Sequence, residues 1–314
     1  MIKKNKPKVV AVIGATATGK TVVGVELATE LDGEVVNGDS RLFYRGMDIA
    51  TAKPTSTETH GIPHHLMDFL DPNENFSLGE YLRRARLTIE EIASRGKLPI
   101  IVGGSGQYIW ALLEGWEVPE IEPNIQLRAE LNTKLENYGV GSLAEELHRI
   151  APDIAGSTDL KNPRRVIRAI ERAHSGDSDS DSGRRKADDV PFDSFIVGLL
   201  VERSALHQRV INRLNEMLKN GWVDEVESLL SAGYSDQDRS LSGIGYRQMT
   251  GHLSGDYDLE EAVRLTAVAT HRLIRQQNNW FKSDDERIHW YDMTNDSNQV
   301  SKSIAELATT WQVD

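Results

Sequence analysis

The segment Gly14–Thr21, GATATGKT, constrains the fold more than any other part of this sequence, because it fits the pattern G-x-x-x-x-G-K-[ST]. It follows the short apolar run Lys8–Gly14 and leads into Lys20–Leu31, whose apolar residues recur with helical spacing. Glycines at this spacing let backbone N–H groups curl around a phosphate, and the positive end of the following helix adds to the attraction. Lys20 supplies a mobile cation and Thr21 a hydroxyl that suits Mg²⁺. The sequence therefore predicts a strand, a loop that binds a di- or triphosphate, and a helix.

Further short apolar runs predict the rest of a sheet. Glu34–Gly38, Leu98–Gly104 and Phe195–Val201 have the length and composition of buried strands, and a last short strand is predicted at Ile288–Tyr291. Between them, Ser77–Arg95 has a capping box at its start, an apolar stripe and a glycine after its end, which together predict a helix. This alternation predicts an α/β fold, a P-loop NTPase-like parallel sheet flanked by helices.

The chain divides into four predicted regions. Residues 1–116 form the first part of the phosphate-loop core, and residues 117–171 form an inserted helical domain. Residues 172–194 are predicted to be a flexible polar loop, because the run at 174–190 is rich in Ser, Asp and Gly and has almost no apolar side chains. Residues 195–314 complete the core and add a helical C-terminal region.

Composition excludes several classes of protein. The chain has no cysteine, which excludes a disulfide framework, a thiolate zinc site, an iron–sulfur cluster and a cysteine nucleophile. Its longest apolar runs, near Val9–Ile13 and Ile196–Val201, are too short to cross a bilayer, and the basic start lacks the pattern of a signal peptide. We therefore expect a cytoplasmic protein with no membrane partner.

The net charge of −12 argues against indiscriminate binding of nucleic acid, but the charge is unevenly distributed. Residues 161–172 contain five bases and one acid, and residues 264–282 contain four Lys or Arg and no acid. Arg164, Arg168 and Arg172 recur at four-residue intervals, which predicts one basic helix face. Two acidic regions, 117–147 and 283–314, each contain seven acids and two bases. The basic segments are therefore candidate contacts for a nucleic acid that docks in register.

Asp39 is the candidate catalytic acid or base. Nucleotide hydrolases hold their metal with an aspartate that ends an apolar strand, but here the strand Leu98–Val102 runs into the glycines of GGSG. Asp39, which follows Glu34–Gly38, would instead lie at the carboxyl end of a strand beside the phosphate loop, where open α/β sheets place their chemistry. The alternative is a plain turn-forming aspartate in Gly-Asp-Ser.

Seven segments resemble the tRNA dimethylallyltransferase family, and they follow one another in the family's order. They are the phosphate loop GATATGKT, DSRLFYRGMDIATAKP at 39–54, GIPHHLMD at 61–68, GGSGQY at 103–108, RRVIRAIE at 164–171, GIGYRQ at 243–248 and RQQNNWFK at 275–282. The resemblance extends from about Val9 to Trp290. Because seven separate segments agree, we regard it as highly specific.

The resemblance implies a reaction. Members of this family transfer a dimethylallyl group from dimethylallyl diphosphate to N6 of the adenosine immediately 3′ of the anticodon in certain tRNAs, with release of diphosphate. The phosphate loop would then hold the diphosphate of an isoprenoid together with Mg²⁺, and nucleotide-binding or ATP-binding labels would reflect only the shape of the loop. Asp39 would act as the general base that removes a proton from the exocyclic amine, with Lys20 and Thr21 as the other catalytic residues. Thr21 is the candidate ligand of the metal.

The resemblance also implies sets of binding residues. The diphosphate-binding set is Gly14, Ala15, Thr16, Ala17, Thr18, Gly19, Lys20, Thr21, Arg203 and Arg209. The tRNA-binding set is Asp39, Ser40, Arg41, Leu42, Ser105, Arg128, Arg164, Arg165, Val166, Ile167, Arg168, Ser242, Gly243, Ile244, Gly245, Tyr246, Arg247, Arg275, Gln276, Gln277, Asn278, Asn279, Trp280, Phe281 and Lys282. The partner would be the anticodon stem-loop of a tRNA, clamped between the core and the inserted domain, with the protein acting as a monomer.

Other functions stay open at this point. Within the same chemistry, the acceptor could be free AMP or ATP, as in an adenylate isopentenyltransferase. Two alternatives come from other functional classes: a P-loop small-molecule kinase and a non-catalytic tRNA-binding relic. A metal site at His64, His65 and Asp68 is disfavoured, since adjacent residues of an extended strand point to opposite faces.

Overall fold

The structure is a computed structural model that describes residues 6–118, 124–176, 190–295 and 297–313. The chain forms two compact units, one comprising Met1–Leu113 with Val190–Asp314 and the other comprising Glu114–Asp189. The first is called the core unit and the second the insert. Much of the Ser/Asp-rich run that was predicted to be flexible lies outside the described residues. The four predicted region boundaries and the clamping role of the insert stay predictions.

The core unit is built on a parallel sheet with the strand order β3-β2-β4-β1-β5-β6. Its strands are β1 Lys8–Gly14, β2 Gly33–Asn37, β3 His64–His65, β4 Leu98–Gly103, β5 Asp193–Leu200 and β6 Ile288–Asp292. Every pairing between neighbouring strands is parallel. The predicted fold class, a parallel sheet flanked by helices, is confirmed. The two-residue edge strand β3 was not predicted as part of the sheet.

The strands are buried because helices cover both faces of the sheet. The helices of the core unit are α1 Lys20–Glu30, α2 Leu78–Ser94, α3 Gly106–Leu113, α7 Arg203–Lys219, α8 Trp222–Ser231, α9 Tyr246–Leu253, α10 Leu259–Trp280 and α11 Ser297–Val313. Helices α1 and α11 join a hydrophobic core with Val10, Val12 and Ile100 on one face. Ile101 alternates to the other face, where an added side chain on Gly38 would touch both Ile101 and Ile109 of α3.

Local sequence signals explain where these helices begin and end. The Ser77 hydroxyl accepts a hydrogen bond from the Glu80 N–H at 3.1 Å, as the predicted cap of α2 requires. Gly96, with φ of +75°, follows the end of α2 and allows the chain to turn into β4. At the start of α10, the Asp258 carboxylate accepts from the Glu261 N–H at 2.8 Å. These caps fix the two long helices that flank the candidate site.

The insert is helical and has its own hydrophobic core. It contains α4 Ile125–Ile150, α5 Pro152–Ser157 and α6 Pro163–His174. Helix α4 is interrupted at Gly139, whose φ of +74° and ψ of 176° are not helical. The core of the insert combines residues of all three helices, namely Leu131, Leu143, Leu147, Ile154, Ala155, Val166, Ile167, Ala169 and Ile170.

Within the part of the chain that the structure describes, no helix is both long enough and apolar enough to cross a membrane.

Candidate functional site

The phosphate loop connects β1 directly to α1. Gly14 has a φ of +148°, and a Cβ atom there would lie 2.5 Å from the Leu199 carbonyl oxygen of β5, so only glycine fits. Gly19, with a φ of +99°, precedes the first turn of α1. The buried Thr18 hydroxyl donates to the Ala15 carbonyl at 2.9 Å and closes the loop on itself. The N-terminal end of α1 therefore opens at the carboxyl end of the central strand, where an anion binds well.

Lys20 lies in this loop and has an unusual electrostatic environment. Its Nζ donates to the Ala15 carbonyl oxygen at 2.7 Å. Burial lowers the pKa of Lys20 to about 8, an effect that the negative charge of Asp39 opposes and the positive charge of Arg213 increases. A bound diphosphate would favour the charged ammonium and so oppose the lowering of this pKa by burial.

Asp39 follows β2 and is held by a network around Asn37. The Asp39 N–H donates to the Asn37 side-chain oxygen at 2.8 Å, and the buried Asn37 amide donates to the carbonyl oxygens of Asp39 and Leu66 at 3.0 and 2.9 Å. The Asp39 Oδ1 accepts from the Arg41 N–H at 3.1 Å, which forms a turn. The second carboxylate oxygen has no hydrogen bond to any described residue. Asp39 is therefore oriented through one oxygen and can accept a proton at the other.

The glycine loop after β4 packs against the segment that carries Asp39. A Cβ atom on Gly103 would lie 2.3 Å from the backbone of Gly38, so the two loops approach as closely as backbones can. The Ser40 N–H donates to the Ser105 hydroxyl at 3.0 Å. The carboxyl ends of β1, β2 and β4 thus meet at one place.

Arg213 is a site residue that sequence reasoning missed. One of its guanidinium nitrogens lies 3.4 Å from the Thr16 hydroxyl of the phosphate loop, and another donates to the Thr51 carbonyl at 3.3 Å. Burial lowers the pKa of Arg213, while the charge of Asp39 opposes that shift. A signal was present, since Arg209 and Arg213 are four residues apart on one predicted helix.

The two arginines that were predicted to hold diphosphate, Arg203 and Arg209, precede Arg213 on α7, and their role stays a prediction. Arg209 donates to the Met293 carbonyl oxygen at 2.5 Å, at the end of β6. Arg203 is exposed in the first turn of α7. The structure therefore brings Lys20, Asp39 and Arg213 together at the phosphate loop, whereas Arg209 is occupied by a backbone carbonyl.

The predicted tRNA contacts in the core unit divide by exposure. On α10 and just after it, Arg275, Gln276, Asn278, Asn279 and Lys282 are exposed, whereas Gln277 and Phe281 are buried. Gln277 accepts from the Thr16 N–H at 2.9 Å and donates to the Gly104 carbonyl at 3.0 Å, so it joins two loops of the site. In the segment 242–247, Ser242 and Arg247 are exposed, Ile244 is partly exposed, and Gly243, Gly245 and Tyr246 are buried. Arg41 donates to the carbonyl oxygens of Arg239 and Ser240, at 3.1 and 3.3 Å.

In the insert, acids neutralise most of the predicted basic contacts. Arg128 forms two hydrogen bonds, of 2.5 and 2.9 Å, with the buried carboxylate of Glu171, which also lies 3.4 Å from Arg168. Arg164 and Arg165 are exposed, and the side chains of Val166 and Ile167 are buried in the core of the insert. Arg172, which we placed on a basic surface together with Arg164 and Arg168, is only 9% exposed. That part of the prediction was wrong, because the face also has to fill the core.

The residues of this site suit a magnesium ion that is held mainly by the phosphates of a bound substrate and by water. The Thr21 hydroxyl makes no hydrogen bond to the described chain, and no group of three or more His, Cys, Asp or Glu side chains in that part of the chain could hold a metal. Mg²⁺ bound with substrate phosphates keeps several waters and needs only one or two protein ligands. His64 and His65 have separate partners, the Ile62 carbonyl and the Glu34 carboxylate, at 2.8 and 2.6 Å.

Fold and site together define a phosphate-loop α/β protein in which a carboxylate and two partly buried cations lie at the loop. This class includes nucleotide hydrolases, kinases and group transferases. Comparison with known proteins narrows this class. The model of the IPP transferase family matches residues 42–284. The tRNA dimethylallyltransferase of Thermomicrobium roseum is 41% identical over 294 residues, which cover 93% of this chain and 88% of that protein.

Two solved structures are also similar. The tRNA isopentenylpyrophosphate transferase of Bacillus halodurans is 37% identical, with a TM-score of 0.73 and coverage of 97% of this chain and 96% of that one. A eukaryotic dimethylallyltransferase acting on tRNA is 26% identical, with a TM-score of 0.82 and coverage of 97% and 79%. The chain belongs to the IPP transferase family, so the family and the class of enzyme predicted from the sequence are confirmed.

Proposed function

We propose that this protein transfers a dimethylallyl group from dimethylallyl diphosphate to N6 of the adenosine immediately 3′ of the anticodon in tRNA, and releases diphosphate. The relatives named above act on tRNA, as their names state. The observation that carries the proposal is the convergence of Lys20, Arg213 and Asp39 at the carboxyl ends of β1 and β2. Two partly buried cations beside a phosphate loop suit a diphosphate, and a carboxylate with one free oxygen suits a proton acceptor.

The phosphate loop and the two cations would bind the leaving group. Diphosphate leaves easily only when its growing negative charge is neutralised, and preorganised cations in a buried site do this without reorganisation. Lys20 and Arg213 contact neighbouring residues of the loop, one at the Ala15 carbonyl and the other at the Thr16 hydroxyl. Mg²⁺, held by the Thr21 hydroxyl and the substrate, would supply additional positive charge there.

Asp39 would remove the proton from the attacking amine. An exocyclic amine is a poor nucleophile, so its proton has to leave as the new C–N bond forms. The Arg41 N–H fixes one carboxylate oxygen of Asp39, which leaves the other for the proton. The target base sits in a stem-loop and would have to be swung out to reach this carboxylate.

The exposed polar face of α10 and the exposed arginines of the insert would hold the RNA. Residues 264–282 contain no acid, so this face attracts phosphates although the whole chain is acidic. Members of the predicted tRNA-binding set whose side chains are buried, such as Gln277 and Val166, would position their neighbours. A cytoplasmic location and a monomeric state are part of the same proposal.

The test is isotope transfer followed by nucleoside analysis. The protein is incubated with Mg²⁺, dimethylallyl diphosphate labelled in the prenyl group, and tRNA, and the digested RNA is analysed by mass spectrometry. We expect labelled N6-prenyladenosine. A parallel incubation with AMP or ATP as acceptor tests the adenylate alternative, and γ-labelled ATP tests the kinase. Label in a mononucleotide but not in tRNA would overturn the proposal.

A further inference from the structure

Two histidines stack face to face on the surface of the core unit. His207 of α7 and His271 of α10 have ring centroids 3.8 Å apart and ring planes only 15° apart. His207 is exposed and His271 is partly buried. Neither imidazole donates or accepts a hydrogen bond within the described chain. The ring nitrogen atoms of both histidines are therefore available to a ligand.

Two arginines flank this pair without an acidic partner. Arg203 is four residues before His207 on α7, and Arg275 is four residues after His271 on α10, so each is one helical turn away from a ring. Both are exposed, and neither guanidinium forms an ion pair with any residue that the structure describes. Two cations and two imidazoles therefore converge on one surface of a protein whose net charge is −12.

The surroundings of His271 disfavour its protonated form in the free protein. Burial lowers the pKa of His271, and His207, Arg275 and Arg203 lower it further because each opposes an added positive charge. The nearest acid in sequence is Glu202, whose carboxylate accepts from the N–H groups of Ser204 and Ala205 at the start of α7. On the other helices packed on α7 and α10, the charged or titratable residues are Asp224, Glu225 and Glu227 on α8, Tyr246, Arg247 and His252 on α9, and Tyr108 on α3.

We propose that His207 and His271, with Arg203 and Arg275, form a proton-linked contact for a phosphodiester group of the RNA substrate. This inference rests on the proposed function, since it assumes that RNA binds to the α10 face. A phosphodiester placed between the arginines offsets their charge, so one imidazole of the pair takes up a proton when RNA docks. RNA fits better than a small anion because the site is an open helix face, which binds a polyanion through many phosphates and the release of counterions.

Binding measured against pH tests the proposal. The dissociation constant of a fluorescent anticodon stem-loop RNA is measured by anisotropy at low salt between pH 6 and 8. We expect the constant to rise by about three- to tenfold over this range, because uptake of one proton changes affinity by at most tenfold per pH unit. The double variant His207→Gln, His271→Gln should lose this rise. His289→Gln, which changes an exposed histidine that stacks on Phe195, serves as the matched control and should keep it.

A second variant, in which an arginine carries a positive charge at every pH, distinguishes proton-linked RNA binding by the histidines from a purely structural role. In His207→Gln, His271→Arg the charge no longer depends on pH, so RNA should bind at pH 8 about as tightly as it binds the wild type at pH 6. Thermal melting of each variant shows that it is folded. A double glutamine variant that melts normally and keeps the full pH dependence would overturn the proposal.

Direct titration identifies the ligand. The pKa values of His207 and His271 are followed by NMR of labelled histidine, with and without the stem-loop RNA, and we expect RNA to raise one of them. An equal rise with inorganic phosphate alone would reassign the site to a free anion and overturn the RNA contact. Absence of RNA binding and of prenyl transfer at every pH would instead contradict the proposed function itself.

Discussion

The phosphate-loop end of the core unit and helix α6 of the insert both contain basic residues, but they use them differently. At the phosphate loop, Lys20 and Arg213 are partly buried, and Asp39, an acid whose charge acts on both, forms no ion pair with either. In the insert, the buried carboxylate of Glu171 binds Arg128 and lies near Arg168. The comparison teaches that a run of arginines does not identify a binding site. Cations that lack an ion-pair partner are prepared for a ligand, whereas paired cations mainly stabilise the fold.

The largest effect in this comparison is expected at Asp39, the acid whose charge acts on both cations of the phosphate-loop end. Asp39→Asn keeps a side-chain oxygen for the Arg41 N–H but cannot accept a proton, so we expect kcat for prenyl transfer to fall by about 10²- to 10⁴-fold. The Kd for tRNA should change little, as measured by gel shift. Asp39→Ala should lose activity as well. An asparagine variant that retains most of its turnover would remove Asp39 from the role of base.

Loss of an unneutralised cation should have the next largest effect. In Arg213→Gln we expect kcat/KM for dimethylallyl diphosphate to fall by about 10²- to 10³-fold, because the leaving group loses a preorganised positive charge. Arg165→Gln is the matched control in the insert, where the arginine is exposed and lies 3.7 Å from Asp159. A similar loss in both variants would erase the distinction between the two regions.

The paired cations of the insert should affect stability. Arg128→Ala leaves the Glu171 carboxylate buried with only Arg168 nearby, so we expect the free energy of unfolding to fall by about 2 kcal/mol, reduced from the cost of a fully buried pair because Arg128 is partly exposed. Urea denaturation measures the change. The variant Arg128→Ala, Glu171→Leu removes the buried charge and should recover part of the loss. Unchanged stability in Arg128→Ala would show that Arg168 alone satisfies Glu171.

The smallest effect is a pH dependence at the phosphate loop. Lys20 has a pKa of about 8 in the free protein, and a bound diphosphate favours the charged form and raises that pKa. Binding therefore takes up a proton above pH 8, and the KM for dimethylallyl diphosphate should rise by up to about tenfold per pH unit there. The rise should disappear in Lys20→Arg. A KM that stays constant from pH 7 to 9.5 in the wild-type protein would contradict this account of Lys20.

Sequence reasoning succeeded for features that a few adjacent residues determine. The phosphate loop, the cap at Ser77 and the buried strands each follow from a few adjacent residues, so the fold class could be predicted, and seven family-like segments identified the family. It failed where partners are far apart in the chain. Nothing near Arg213 shows that it reaches Thr16, which is 197 positions away, and nothing near Gln277 shows that its amide is buried. The solvent exposure of individual side chains could not be predicted either. The arginines of α6 recur with helical spacing whether Arg172 points outward or inward.

The hydrogen bond between Gln277 and the Thr16 N–H also has a consequence for biosynthesis. The ribosome makes the N-terminal part of a chain first, so residues 14–21 emerge early. Their backbone acquires this partner only when position 277 has been made, with β5 and the whole insert between them. A nascent chain therefore contains the complete phosphate-loop motif long before it contains a completed phosphate site. Under the proposed function, the loop that would hold the prenyl donor therefore reaches its final hydrogen bonding only when α10, the helix proposed to contact RNA, is also in place.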